Sequence, residues 1–159
     1  MIGVCIMKKV ICEKSYRDGN LILACYYKDE TKQELHREDG PAYVNNNLDG
    51  TKNYEEYYKN GVRHREDGPA KIVYHINGTV EREEYYKNGV LHREDGPAKI
   101  IYYGNGNIDT EEYYKDGVLH REDEPAKIEY YYNGNIATEE YYINGVLISV
   151  GIVRNRGSV

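Results

Sequence analysis

Neither phenylalanine nor tryptophan occurs among these 159 residues. The aromatic content is carried by 19 tyrosines. Tyrosine has an apolar ring and a hydroxyl that wants a partner, so it suits surfaces that are half buried and half wet. Cysteine is scarce: Cys5, Cys12 and Cys25 all lie near the start of the chain. An odd number with no C-x-x-C pair argues against a zinc site or a disulfide framework, and the expectation is reduced thiols in a soluble, cytoplasmic protein. Long apolar runs are missing as well. The opening stretch Met1 to Met7 is broken by Lys8-Lys9. It is too short to cross a bilayer and lacks the charge-then-apolar order of a signal peptide. No segment shows helical periodicity of useful length. Only four prolines occur, Pro41, Pro69, Pro97 and Pro125, and their spacing is regular.

Mean hydropathy is −0.83, yet tyrosine, valine and isoleucine are frequent, a combination that reads as exposed β-sheet rather than disorder. The net charge of −6 repels phosphate backbones, so no nucleic-acid partner is expected. The length suffices for one domain or one short repeat array.

What organises the chain is HREDGPAKI, which begins at His64 and again at His92, with the variants HREDGPA at His36 and HREDEPAKI at His120. Successive histidines are 28 residues apart, and a fixed interval of this size marks a structural repeat. Units start at 36, 64, 92 and 120. A partial unit covers 11–35, where Tyr26-Tyr27-Lys28-Asp29 matches Tyr57-Tyr58-Lys59-Asn60 and the extra residues fall in Glu30-Thr31-Lys32-Gln33, which is therefore read as a loop. The pattern fades after Asn144-Gly145. Residues 1–10 are read as an N-terminal cap strand, 11–145 as the repeats, and 146–159 as an apolar cap strand and tail, since the ends of an array depart from its consensus.

Each unit contains two Asn-Gly or Asp-Gly dipeptides, for example Asn105-Gly106 and Asp116-Gly117. Between β-rich runs these predict two-residue type I′ hairpins. The EEYY segment between them, such as Glu83 to Tyr86, reads as the central strand. The run before the first turn, such as Ala98 to Tyr103, reads as a second strand, and Val90 to Arg93 reads as a return onto the central strand. Two-residue loops at Asn77-Gly78 and Asn88-Gly89 place both Lys71 and Arg93 opposite Glu84, and likewise Lys99 and Arg121 opposite Glu112. At the ends Tyr43 replaces the lysine opposite Glu56, and Ser149 replaces the arginine opposite Glu140. Because side chains alternate along a strand, adjacent Tyr85 and Tyr86 point to opposite faces, giving a tyrosine ladder on each. Asp-Gly-Pro-Ala reads as a corner, since proline is excluded from central ladders. Glu124 stands where the other units have glycine before proline, which argues against an obligatory positive φ there.

The histidines and acids of the repeat invite two chemical readings. Strands lie about 4.8 Å apart, so His36, His64, His92 and His120, two strands apart, are separated by about 10 Å. Ligands of one metal lie within about 2.2 Å of it, so the histidines are read as structural. A catalytic site is one constellation, whereas His-Arg-Glu-Asp recurs at equal intervals. Asp39, Asp67, Asp95 and Asp123 are expected to hydrogen-bond the corner backbone. No phosphate loop, nucleophile elbow or C-x-x-C site is present. No catalytic, cofactor-binding or metal residue is assigned, no cofactor is expected, and the protein is read as not an enzyme.

The units EEYYKNGVLHREDGPAKI and IYYGNGNI resemble the MORN-like repeat families, in the variant with turn-forming Asn-Gly and an Asp-Gly-Pro-Ala signature, over about residues 11–145. Such variants are frequent in giant DNA viruses and their associated elements, and a related form occurs in bacterial proteins of antitoxin type. The resemblance implies a β-hairpin array with interaction or scaffold roles and no catalytic residues.

The resulting expectation is an all-β, elongated, single-sheet array of antiparallel hairpins with a period of 28 residues. Its function is read as a non-enzymatic protein–protein interaction or scaffold module of a giant virus or mobile element, placed in the host cytoplasm or the virion. The acidic, tyrosine-rich faces are the candidate contact surface. The alternatives are a membrane-surface or lipid-binding module, which needs a basic or apolar face, and an antitoxin-like inhibitor. The partner is another protein, or a second copy joined through terminal edge strands.

Overall fold

A computed structural model describes residues 11–152; the expected strand over 1–10 and the tail 153–159 lie outside them. The chain enters as a hairpin of β1 (Ile11–Arg17) and β2 (Asn20–Tyr27). Three units of four strands follow. The first is β3 (Tyr43–Asn46), β4 (Lys52–Glu56), β5 (Tyr58–Lys59) and β6 (Val62–Arg63). The second is β7 (Lys71–Tyr74), β8 (Val80–Glu84), β9 (Tyr86–Lys87) and β10 (Val90–Leu91). The third is β11 (Lys99–Tyr102), β12 (Ile108–Glu112), β13 (Tyr114–Lys115) and β14 (Val118–Leu119). The last consists of β15 (Lys127–Tyr130), β16 (Ile136–Ile143) and β17 (Val146–Ile152).

Among the described residues the strands form one elongated antiparallel sheet, in the order β1-β2-β3-β4-β7-β8-β11-β12-β15-β16-β17. Each full unit adds one hairpin to it, and β5–β6, β9–β10 and β13–β14 stand beside it as ribbons. The split has a cause in the sequence. Glu56 pairs with Lys71, and Tyr57 N–H donates to the Ala70 carbonyl at 2.7 Å. The next residue on that neighbour is Pro69, which has no N–H, so the ladder stops there. Tyr58 leaves for its own ribbon, closed by a type I′ turn in which Asn60 and Gly61 have φ of 51° and 78°. Successive ribbons are bonded to one another: Gly89 N–H donates to Arg63 C=O (2.9 Å) and Arg65 N–H to Tyr86 C=O (3.4 Å).

The turns within the sheet correct the sequence reading. At Asn77-Gly78 only Gly78 has positive φ (84°). His75 N–H donates to Thr79 C=O at 2.8 Å, so the loop is the three residues Ile76-Asn77-Gly78, not two. The Asn77 side chain accepts the Thr79 N–H at 3.0 Å and fixes this shape. A bulge follows, with Tyr74 opposite Val80 and Val73 opposite Arg82, which leaves Glu81 unopposed. The bulge offsets the longer loop, so Lys71 still faces Glu84 as expected, and Tyr43 faces Glu56.

Arg93 and Arg121 do not face Glu84 and Glu112. The return run pairs only as Val90 with Lys87 and Leu91 with Tyr86. The second strand opposite Glu84 is β11 through Lys99, and the second opposite Glu112 is β15 through Lys127. Glu140 faces Val150 rather than Ser149, because a bulge in β17 shifts the register between Tyr142–Leu147 and Tyr141–Ser149.

The protein has a thin core. Ala42, Ala70, Ala98 and Ala126 are fully sealed, one per unit at the junction of sheet and ribbon, whereas no large side chain among the described residues is fully buried. At these junctions the backbone is satisfied on both sides: Ala98 N–H donates to Glu112 C=O at 2.9 Å and its carbonyl accepts from Tyr85 N–H at 2.7 Å. Alanine is the size that lets the two rows approach this closely.

Candidate interaction surface at the unit junctions

Adjacent glutamates such as Glu83 and Glu84 point to opposite faces of the sheet, and each face uses its acid differently. On one face Glu56, Glu84, Glu112 and Glu140 interleave with Lys71, Lys99 and Lys127. Lys99 Nζ reaches both oxygens of Glu112 at 3.2 and 3.1 Å, Lys71 Nζ lies 3.1 Å from Glu56, and Lys127 Nζ lies 3.4 Å from Glu140. Glu84 receives neither neighbouring lysine. Arg82 Nε lies 3.0 Å from it, an ion pair by distance that lacks hydrogen-bond alignment. The hydroxyls of Tyr58, Tyr86, Tyr114 and Tyr142 donate to Glu56, Glu84, Glu112 and Glu140 at 2.8–3.0 Å.

On the other face Tyr74, Tyr102 and Tyr130 donate to Glu55, Glu83 and Glu111 at 2.8, 3.0 and 2.7 Å. Burial first, and then the nearby carboxylates, push the phenol pKa values of Tyr86, Tyr102 and Tyr114 above the usual range. Tyrosines therefore line both faces, and the hydroxyls of these seven are spent inside the array. They cover a thin sheet more than they offer a contact surface.

The ribbon side carries what stays accessible. Arg37, Arg65, Arg93 and Arg121 sit over Tyr26, Tyr57, Tyr85 and Tyr113, with guanidinium carbons 3.9–4.1 Å from the ring centroids. This geometry stabilises each pair by cation–π attraction. Arg37, Arg65 and Arg93 donate through Nε to Asp39, Asp67 and Asp95 at 2.7, 3.0 and 2.9 Å. The aspartates hold arginine first and accept from the corner backbone as the smaller effect, and chiefly the hydrogen bond from that guanidinium holds their pKa values below the usual range.

A Cβ on Gly96 would sit 3.1 Å from Arg93 Cζ, a tight contact with the end of a flexible side chain, and φ there is not positive, in keeping with Glu124 at the equivalent place. In the fourth unit Glu124 occupies that place and pairs with Arg121.

Each repeat histidine, at the start of its unit, reaches forward to the second turn of the same unit. Nδ1 of His36, His64, His92 and His120 accepts the backbone N–H of Asn60, Asn88, Asp116 and Asn144, each at 3.1 Å. Nε2 faces Glu38, Glu66, Glu94 or Glu122 at 3.4–3.9 Å, and Nδ1 of His92 also lies 3.0 Å from the Asp116 carboxylate. Nε2 comes within hydrogen-bond distance of its glutamate at His64 (3.5 Å) and His92 (3.4 Å). Among the described residues no group of three or more His, Cys, Asp or Glu has the geometry of a metal site.

Between successive units these elements line the same shallow cleft three times. One cleft lies between Arg37-Glu38-Asp39 and His64-Arg65-Glu66, the next between His64-Arg65-Glu66 and His92-Arg93-Glu94, and the third between His92-Arg93-Glu94 and His120-Arg121-Glu122. Glu66, Glu94 and Glu122 stand about four-fifths exposed at the rims. Lys59 and Lys87 lie 3.6 and 3.4 Å from Glu66 and Glu94.

The arginine–tyrosine stacks and histidine staples were missed from the sequence. A signal existed: Tyr57–Arg65, Tyr85–Arg93 and Tyr113–Arg121 share one spacing, and Tyr26–Arg37 exceeds it by the loop insertion alone. No helix among the described residues is long and apolar enough to cross a membrane. Set against family models and against curated proteins, the chain matches neither.

Proposed function

We propose that this protein is a non-enzymatic interaction module, a scaffold that holds another protein along its ribbon side. One observation carries the reading. The cleft at the unit junction recurs three times with the same residue types, so the surface offers equal contacts in a row instead of one reactive centre. A partner matched to it is extended or itself repetitive, with cations for the rim carboxylates Glu66, Glu94 and Glu122. The resemblance to MORN-like repeats supports the same class of role, and with it a giant virus or an associated mobile element as the source and the host cytoplasm or virion as the place of action.

The test is site-specific photo-cross-linking in the source cell. A photoreactive residue replacing Glu66 or Glu94 captures one discrete protein. The same residue at Ile76, exposed on a sheet turn, does not. Equal capture from both positions overturns the reading. Preferential recovery of vesicles of acidic lipid would favour the membrane-surface alternative instead.

A further inference from the structure

The two edges of the sheet are unlike. Edge strand β1 carries Glu13, Lys14 and Arg17, and Lys32 forms an ion pair with Glu13. Charges of this kind blunt an open edge. Edge strand β17 reads Val146-Leu147-Ile148-Ser149-Val150-Gly151-Ile152 and has no charge at all. Val146, Leu147, Ile148, Val150 and Ile152 are 48–67% exposed, and among the described residues no strand pairs with its outer side.

Position 150 sharpens the contrast. Glu84 has a lysine opposite it on both neighbouring strands, and so does Glu112. Glu140 has Lys127 on one side and Val150 on the other. Valine therefore stands where the repeat supplies the residue that protects an edge.

Resting on the interaction role proposed above, we infer that β17 is a self-association edge that pairs antiparallel with β17 of a second copy. Strand parity selects this arrangement. Among the described residues, eleven antiparallel strands leave β1 and β17 running in the same direction, so head-to-tail stacking of these two joins them in parallel, a pairing the described sheet nowhere uses. A two-fold axis normal to the sheet instead keeps the faces continuous and makes the new pair antiparallel.

An axis at Val150 sets Ile148 against Ile152, Ser149 against Gly151, and Val150 against its own copy. Val150 and Ile152 share the face of Glu140 and Thr138 by register, and Ser149 and Gly151 share the other, so about the axis one face of the new seam is β-branched and the other carries small residues, with Ile148 at the bulge. One short strand per copy buries less than about 1,200 Å², the class of weak, concentration-dependent interfaces.

Sedimentation equilibrium of the full chain across micromolar to millimolar concentration tests this. The average mass should climb from 18.5 kDa toward twice that value. Val150→Lys should hold it at the monomer value, because like charges then meet at the axis, while the new lysine faces Glu140 as lysine does elsewhere in the array. The variant's circular dichroism and melting temperature should match or exceed those of the parent. A parent that stays monomeric throughout, or a folded Val150→Lys protein that associates as the parent does, overturns the inference. Neither result touches capture by the Glu66 and Glu94 cross-linkers, which tests the ribbon side separately.

Discussion

Lys99→Met isolates the charge ladder that sets the register of the sheet. Lys99 Nζ contacts both oxygens of Glu112 at 3.2 and 3.1 Å, with side chains 23% and 11% exposed. At an effective dielectric of about 20, two unit charges at this separation attract by about 5 kcal/mol before desolvation is subtracted. Removing the cation leaves a largely buried carboxylate held by the Tyr114 hydroxyl at 2.9 Å. Stranding one member of a buried pair typically costs about 3–5 kcal/mol. Lys127 lies opposite Glu112 on the other side and can turn toward it, so the expected loss is smaller, about 2–3 kcal/mol. Adding Glu112→Leu removes the stranded charge, and the double variant should come back to within about 1 kcal/mol of the parent, since apolar replacement of a whole pair is close to neutral. Urea unfolding followed by circular dichroism reads both, with an unchanged m-value as the check that the same surface unfolds. A single variant that loses less than about 0.5 kcal/mol behaves like an exposed surface pair and refutes the ladder as a structural element. A double variant weaker than the single refutes the electrostatic account of it.

Two further outcomes follow from the packing and from the phenols. Ala98→Leu forces extra carbons into a fully sealed junction and should cost about 1–3 kcal/mol in urea unfolding; a loss within error would mean the junction is not the packed seam of the array. Burial raises the pKa values of Tyr74, Tyr86, Tyr102, Tyr114 and Tyr130 above their ordinary 10.0. The folded chain thus binds more phenolic protons than the unfolded chain above that pH, so this stabilisation is complete below about pH 10 and is lost as pH rises through the raised folded values. Phenolate absorbance should rise late and together with loss of the sheet signal, whereas all tyrosines titrating near pH 10 in an intact sheet would contradict it.

Much of the fold is legible in the sequence because the repeat fixes it from several directions. The interval between His64 and His92, the type I′ turn at Asn88-Gly89 and the Lys71–Glu84 pairing all follow from local chemistry. The Asn77-Gly78 loop shows the limit. The same dipeptide closes a three-residue loop there, because the Asn77 side chain captures the Thr79 N–H, and the bulge at Glu81 then cancels the error in register. The two-residue loop at Asn88-Gly89 predicts Arg93 opposite Glu84, but the pairing it starts ends after Leu91 and Tyr86. The exit of the chain at Tyr85 is imposed by Pro97 on the neighbouring strand, a residue distant in sequence. The candidate surface was less legible: tyrosines looked available from their number alone, and only the hydroxyl partners on Glu83 and Glu84 show how many are already committed.

Equivalence of the units is the claim on which the rest depends, and deleting residues 64–91, one full period, measures it most directly. The account predicts a cooperatively folded protein with the parent's circular dichroism per residue. Glu56 should then face Lys99, and the long dimension in small-angle scattering should shrink by about 10 Å, two strands. A deletion that unfolds or aggregates, while the parent stays folded under the same conditions, would contradict it, because the 28-residue segments would then not be interchangeable parts.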